Sequence, residues 1–464
     1  MRNKLIKSIF LGALLLTYGL LFYFLINLKL NSDFTSFYGS TLAYTQGMNP
    51  YQGVTSSFLP HSIDVPVDLN PPFFLELFAP FSHLTFITAS ILWFFISLIL
   101  GGVGAVLSFF IFSSPTMFKK YWCNLLLLYL AMYPTIMNIS FGQLGNFLLF
   151  FIVLGYYFFS HNKKDYLAGF FWGIVVAVKL FPALLFFFVL VQRRYKVFWA
   201  MLVTASFASL IPLFTHGFQI YVLYFKTLKN VLWYGNSWNA SIYGFLYRLF
   251  INVDTQQNFL PIKIIYLFIF IALLSWYIKK LHYFQKIAQP HYAFCLTIIM
   301  MLLLSPFGWL YYFPLLVMPL ILIHKALSST LLASGAKNPK ICINESAPTL
   351  NIREEKKKIF FGNNVRGKSL YNLWIIGLFL ICFPQGNIQA RYMGLFIYKI
   401  TVYSVFFYGL LLLVYLLNTT CRFAPYGQAP HAHSTCLFPA KIVLSLGLSV
   451  VLIILLMHFY LILL

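Results

Sequence analysis

The stretch LTFITASILWFFISLILGGVGAVLSFFIF, Leu84–Phe112, holds no charged residue. A helix crossing a bilayer needs about 20 consecutive apolar residues, so this one is long enough to span. Ile6–Leu28 and Lys441–Leu464 read the same way. The whole chain is 61% hydrophobic and 20% aromatic, with 9% charged residues, which excludes a water-soluble domain of this length. A membrane span must satisfy its own backbone hydrogen bonds, and strand-like alternation is absent. The fold class expected is therefore an all-α polytopic membrane protein of about 12–13 transmembrane helices.

The formal net charge of +23 invites a nucleic-acid reading, but its distribution argues against one. Basic residues sit in short loops: Arg2, Lys4 and Lys7; Lys119 and Lys120; Lys163 and Lys164; Arg193, Arg194 and Lys196; Lys279, Lys280 and Lys286. The largest group lies between Lys325 and Lys368. Retention of Lys and Arg on the cytoplasmic side produces this pattern. The outer face then receives Asn31–Pro72, Thr215–Leu260, the Ser305–Trp309 turn and Gln385–Arg391, with acidic Asp33, Asp64, Asp68 and Glu76 in or beside the first outer loop. Membrane lipids are expected partners, and nucleic acid is not. None of the six cysteines falls in an outer loop, so a disulfide framework is not expected. The basic, apolar N-terminus is read as a retained first helix rather than a cleaved signal.

The expected spans are Leu5–Leu28, Ser82–Phe112, Trp122–Met137, Asn146–Phe159, a pair of short helices within Tyr166–Val191, Val197–Phe214, Pro261–Ile278, Tyr292–Leu304, Leu310–Ile323, Tyr371–Phe383, Gly394–Leu417 and Val443–Leu464. The Tyr166–Val191 segment has basic loops at both ends and Lys179 and Pro182 near its middle. A broken or re-entrant hairpin fits it, with one tilted span as the alternative. Tyr221, Tyr224, Phe225, Leu228, Leu232 and Trp233 recur at helical spacing, with Lys226, Lys229 and Asn230 opposite, which predicts an amphipathic helix on the outer surface. Domains are drawn as a transmembrane module over 1–327 with outer loops about 29–81 and 215–260, a flexible cytoplasmic loop over 328–370, and C-terminal helices over 371–464.

In so apolar a chain, polar residues near membrane depth are candidates for function. Asp33 follows the first helix directly and is either a general base in a partly desolvated cleft or a solvated flank. Asp64 and Asp68 read as solvated loop residues. Lys179 in mid-segment costs roughly 2.5–3.5 kcal/mol to insert. It therefore binds an anion or snorkels to the surface. The turn Ser140-Phe141-Gly142-Gln143-Leu144-Gly145-Asn146 offers Gln143 and Asn146 at an outer mouth, or is a tight turn capped by Asn146. Ser237-Trp238-Asn239-Ala240-Ser241 with Arg248, and Ser305-Pro306-Phe307-Gly308-Trp309-Leu310-Tyr311-Tyr312, suit a sugar ring or form an aromatic belt. No Walker A, His-Glu-x-x-His or Asp-x-Asp sequence is present, so no cofactor or metal is expected.

In this order the motifs resemble glycosyltransferase family 87, integral-membrane mannosyltransferase-like enzymes of the GT-C class. The matching pieces are Asp33 with Tyr38, Gly47 through Tyr51, Asn70-Pro71-Pro72, Gly142-Gln143 with Asn146, Ala168-Gly169 through Lys179 and Pro182 to Arg193-Arg194, Asn239-Ala240-Ser241, and Ser305-Pro306 with Trp309. Where the family often carries histidines after Trp309, this chain has Tyr311 and Tyr312. The resemblance implies a GT-C-like bundle and inverting sugar transfer, of mannose for preference, from a polyprenyl-phosphate donor to a lipid or glycan acceptor. Asp33 is then the base. Lys179 and Arg248 hold the donor phosphate. Tyr38, Tyr51, Gln143, Asn146, Asn239, Ser241, Trp309, Tyr311 and Tyr312 contact the sugar or acceptor. The expected setting is a bacterial inner membrane with the site facing the periplasm. A flippase for a lipid-linked sugar and an inactive accessory subunit are the competing readings.

Overall fold

A computed structural model describes residues 2–27, 32–52, 67–161, 163–231, 233–252, 259–335 and 368–421. Among them the fold is helical, with an isolated β-bridge between Asn239 and Trp309. The chain is an all-α polytopic membrane protein. Six helices are long and apolar enough to cross a membrane, and a bent pair makes a seventh. Five shorter apolar helices lie among the same described residues. The expected Val443–Leu464 span, Asp64, Cys342 and Cys436 lie outside the described residues.

Helices differ in how much of their apolar surface they bury. Helix α13 (Phe259–Lys286) exposes Leu260, Leu267, Phe268 and Ile271 along its length, the apolar coat that lipid requires. Helix α14 (Pro290–Leu304) is apolar on every side and buried from Tyr292 to Leu304. An all-round apolar helix belongs in such an interior position.

The Tyr166–Val191 segment is a hairpin. Helix α8 (Asp165–Val178) stops at Lys179, whose backbone is extended. A 3-10 turn, Phe181–Leu184, and α9 (Leu185–Val191) follow. Pro182 lacks an N–H and so suits the first turn of a new helix rather than the interior of an old one. Gly169 packs on Val197 and Ala200, and Gly173 on Met201 and Thr204. Helix α8 therefore runs parallel to α10 (Tyr195–His216), and the chain must reverse between them. Arg194 pairs with Asp165 at the open end of the hairpin. Fourteen helical residues rise about 21 Å, which carries Lys179 deep into the bundle.

Four expectations change. Trp122–Met137 is not one helix: α5 (Pro115–Ala131) and α6 (Tyr133–Ser140) meet at 60°, because Pro134 starts a new helix after Met132. The first outer loop is partly helical, with α2 (Ser32–Thr45) and α3 (Pro72–Phe78). Helix α15 (Val317–Gly335) extends into the stretch expected to be flexible. The amphipathic helix forms as α11 (Gln219–Lys229), shorter than expected, with Tyr224 buried and Phe225 exposed.

The segments assigned to the outer face gather at one end. Phe34 N–H donates to Phe141 O (3.1 Å), and Ala240 N–H to Gly308 O (2.9 Å). Thr227 Oγ1 donates to Tyr51 O (3.2 Å), and Ser237 Oγ to Gly386 O (3.0 Å). The basic loops meet at the other end, where Tyr156 pairs with His291 and Lys325 reaches Ser113 O.

Candidate active site

Asp33 lies in the first turn of α2, where the helix dipole favours a negative charge. The Gln143 side chain and the Tyr311 hydroxyl lie beside its carboxyl and favour its charged form. Gln143 Oε1 already accepts Leu144 N–H (3.3 Å), so the NH2 end of that amide faces Asp33. The second carboxyl oxygen, Oδ2, is buried and has no hydrogen-bond partner among the described residues. Burial raises the Asp33 pKa to about 6, against the lowering effects of Gln143, Lys179 and Tyr311.

Asp68 corrects the expectation of a solvated loop residue, because the outer loops close over it and leave it 2% exposed. Its Oδ1 accepts from both Asn70 N–H (3.0 Å) and Asn70 Nδ2 (2.7 Å). Its Oδ2 is buried without a partner. Burial pushes its pKa up to about 7; Lys179 opposes the shift and Asp33 adds to it.

Lys179 reaches these groups from the hairpin tip. Its ammonium donates to Asn70 Oδ1 and lies 5.9 Å from the Tyr312 ring centre. It interacts electrostatically with both carboxylates. The anions beside half-buried Lys179 are thus carboxylates of the first outer segment, and its ammonium turns inward to Asn70. Two acids against one base leave the cluster with an excess negative charge when fully ionised, which suits it to hold a proton near neutral pH.

Tyr311 is held by rings: Trp238 at 5.4 Å, Phe141 at 5.7 Å and Trp309 at 6.1 Å. Its backbone carbonyl accepts from Asn138 Nδ2 (3.0 Å) and abuts Gly145, where a Cβ would lie 1.9 Å from that oxygen. Gly142, at φ 64°, turns the chain between α6 and α7 (Gly145–Ser160) and presents its carbonyl to Trp93 Nε1.

The remaining expected residues have polar groups engaged elsewhere in the fold. Tyr38 donates to Leu84 O (2.7 Å) and Tyr51 to Asn70 O (3.0 Å). Asn146 is fully buried, accepting from Tyr129 and donating to Ser97. It does not cap α7; the Asn138 side chain accepts Asn146 N–H instead. Asn239 donates to Tyr234 O and Pro306 O, and Ser241 caps α12 (Ile242–Phe250). Arg248 is 1% exposed and donates to Ser404 Oγ and to the carbonyls of Gly235, Asn236 and Asn239. Sequence reasoning took Asp68 as solvated and did not single out Asn138. The readable signal for Asp68 was an aspartate two residues before Asn-Pro-Pro, the spacing at which its carboxylate accepts the Asn70 N–H.

Among the described residues no group of three or more His, Cys, Asp or Glu side chains is placed to share a metal ion. A separate cavity of 460 Å³, lined by Phe225, Leu228, Lys229, Tyr234, Phe259 and Lys263, shares no residue with the carboxylate cluster.

The family model for glycosyltransferase family 87 matches residues 69–306, just over half of the chain. The chain belongs to glycosyltransferase family 87. This family-87 protein is therefore a membrane glycosyltransferase, and sugar donors, acceptors and membrane lipids are its partners. The matched stretch holds Asn70, Gln143, Lys179 and Arg248; Asp33, Asp68 and Tyr311 flank it. No curated protein and no solved structure matches the family-87 chain.

Proposed function

We propose that the protein is an inverting GT-C-type transferase that moves a sugar, mannose for preference, from a polyprenyl-phosphate donor to a lipid or glycan acceptor. The catalytic module is residues 1–327, and the site faces the periplasm of a bacterial inner membrane. The observation that supports this reading is the meeting of Asp33 and Lys179 under the outer loops, with a buried Asp33 oxygen left without a partner.

The acceptor hydroxyl oxygen attacks the anomeric carbon, and its proton passes to Asp33 Oδ2. The bond from that carbon to the phosphate oxygen breaks on the opposite face, and the electron pair leaves with polyprenyl phosphate. A base with pKa near 6 is ionised at neutral pH and stronger than an ordinary carboxylate, which suits general-base work. Lys179 keeps ammonium hydrogens beyond the one given to Asn70, and a fixed cation in a dry site stabilises the departing phosphate. Tyr311 and Gln143 orient Asp33. Arg248 is left out of the phosphate site, since its donors are occupied by the second outer loop.

The test uses the purified chain in lipid nanodiscs with radiolabelled polyprenyl-phosphate mannose and a crude lipid extract from its host. Wild type should label a new product and Asp33→Asn, folded to the same extent, should not. Near-normal turnover by Asp33→Asn sinks the base assignment. Label crossing liposome membranes without any new product points to a flippase.

A further inference from the structure

We propose that Asp68 is a positioning residue for Lys179, acting through the amide of Asn70. This deepens the reading of Lys179 as the phosphate-binding cation and rests on it. The amide of Asn70 has two chemically opposite ends, and either could face the lysine. Its NH2 end donates to Asp68 Oδ1 at 2.7 Å, so its oxygen end must face the other way, where the Lys179 ammonium donates to it. Asp68 is itself fixed, because the same Oδ1 accepts Asn70 N–H at 3.0 Å. Asn70 is fully buried and its backbone carbonyl accepts from Tyr51, so the residue has no freedom to swing aside. Pro71 and Pro72 follow and stiffen the backbone there.

An Asn at position 68 no longer enforces that polarity, because its own amide can present either an oxygen or an NH2 group to Asn70. The Asn70 amide can then turn its NH2 end toward the ammonium, and two donors face each other. The lysine loses a charge-assisted bond and its fixed direction. Asp68 need not touch the substrate for this to weaken phosphate binding.

The experiment measures binding of farnesyl phosphate, a short polyprenyl phosphate, to the full chain in nanodiscs by thermophoresis. Thermal unfolding checks that each variant is folded. Lys179→Met should weaken binding at least tenfold. Asp68→Asn should weaken it about tenfold, the loss of one charge-assisted hydrogen bond. Asn70→Leu, which keeps the side-chain volume and removes both amide bonds, should do the same and serves if Asp68→Asn fails to fold. In the Lys179→Met background neither change should weaken binding further, because the effect travels through the lysine. Equal losses in both backgrounds mean a merely structural Asp68 and overturn the proposal. So does wild-type affinity in Asp68→Asn when Lys179→Met is weak. Wild-type affinity in Lys179→Met fails the phosphate reading itself, and the positioning role falls with it.

Discussion

Asp33 carries the chemistry proposed here, and its titration sets the pH response. Burial raises its pKa to about 6. A base must be unprotonated to act, so kcat/KM should rise with pH through about 6 and level off above it. A rate independent of pH between 5 and 8 would remove Asp33 from the rate equation. Its replacement by Asn should lower kcat by 10²–10⁴-fold, the usual contribution of a general base. Arg248 behaves differently. Arg248→Ala leaves buried carbonyls of the second outer loop without donors, which costs about 3 kcal/mol. The expected signature is a lower unfolding temperature in detergent, with little change in KM for the donor in whatever protein remains folded. Neither residue's role is decided by its neighbours in sequence. Asp68 shows why: a loop aspartate reads as solvated unless one knows that distant loops fold over it.

Among elements, the hairpin of α8 and α9 was legible, because a lysine and a proline in mid-segment between two basic loops leave few alternatives. The bend between α5 and α6 had its signal too, in Pro134, but continuous apolar character hid it. Helix α2 was not legible. Its Gly39 and its Ser and Thr residues are poor helix formers, and the helix depends on the packing of Phe34, Phe37 and Tyr38 beneath it. The junction of α7 with the Leu310–Leu316 turn offers a sharp test. Gly145→Ala forces a methyl group against the Tyr311 carbonyl, which should cost roughly 2 kcal/mol of overpacking. It should also shift Tyr311 away from Asp33. Thermal unfolding and turnover should therefore both fall, and unchanged turnover would detach Tyr311 from Asp33 in the working enzyme.

Across the whole molecule, the described parts of the loops assigned outside join at one end and the described basic segments lie at the other. This sidedness was readable from charge alone, since Lys and Arg distribution follows membrane topology. Its absolute direction is testable in a Cys123→Ser background. Met48→Cys, on an exposed loop beside the first outer helix, should react with a membrane-impermeant maleimide in intact spheroplasts. Lys120→Cys should react only after lysis, and the reverse pattern would turn the molecule over.

The shared site also has a history within each molecule. Lys179 follows Asn70 by 109 residues. At ordinary translation speed the ribosome takes roughly 5–20 s to cover that distance. Through that interval the first outer segment has been made, but the cation that balances its two acids has not. Burial of Asp33 and Asp68 must wait for insertion of the hairpin, and the Tyr311 contact waits longer still. The nascent chain therefore holds this carboxylate cluster open to water until most of its helices are in the bilayer, and a prematurely ended chain carries the acids without the means to close over them.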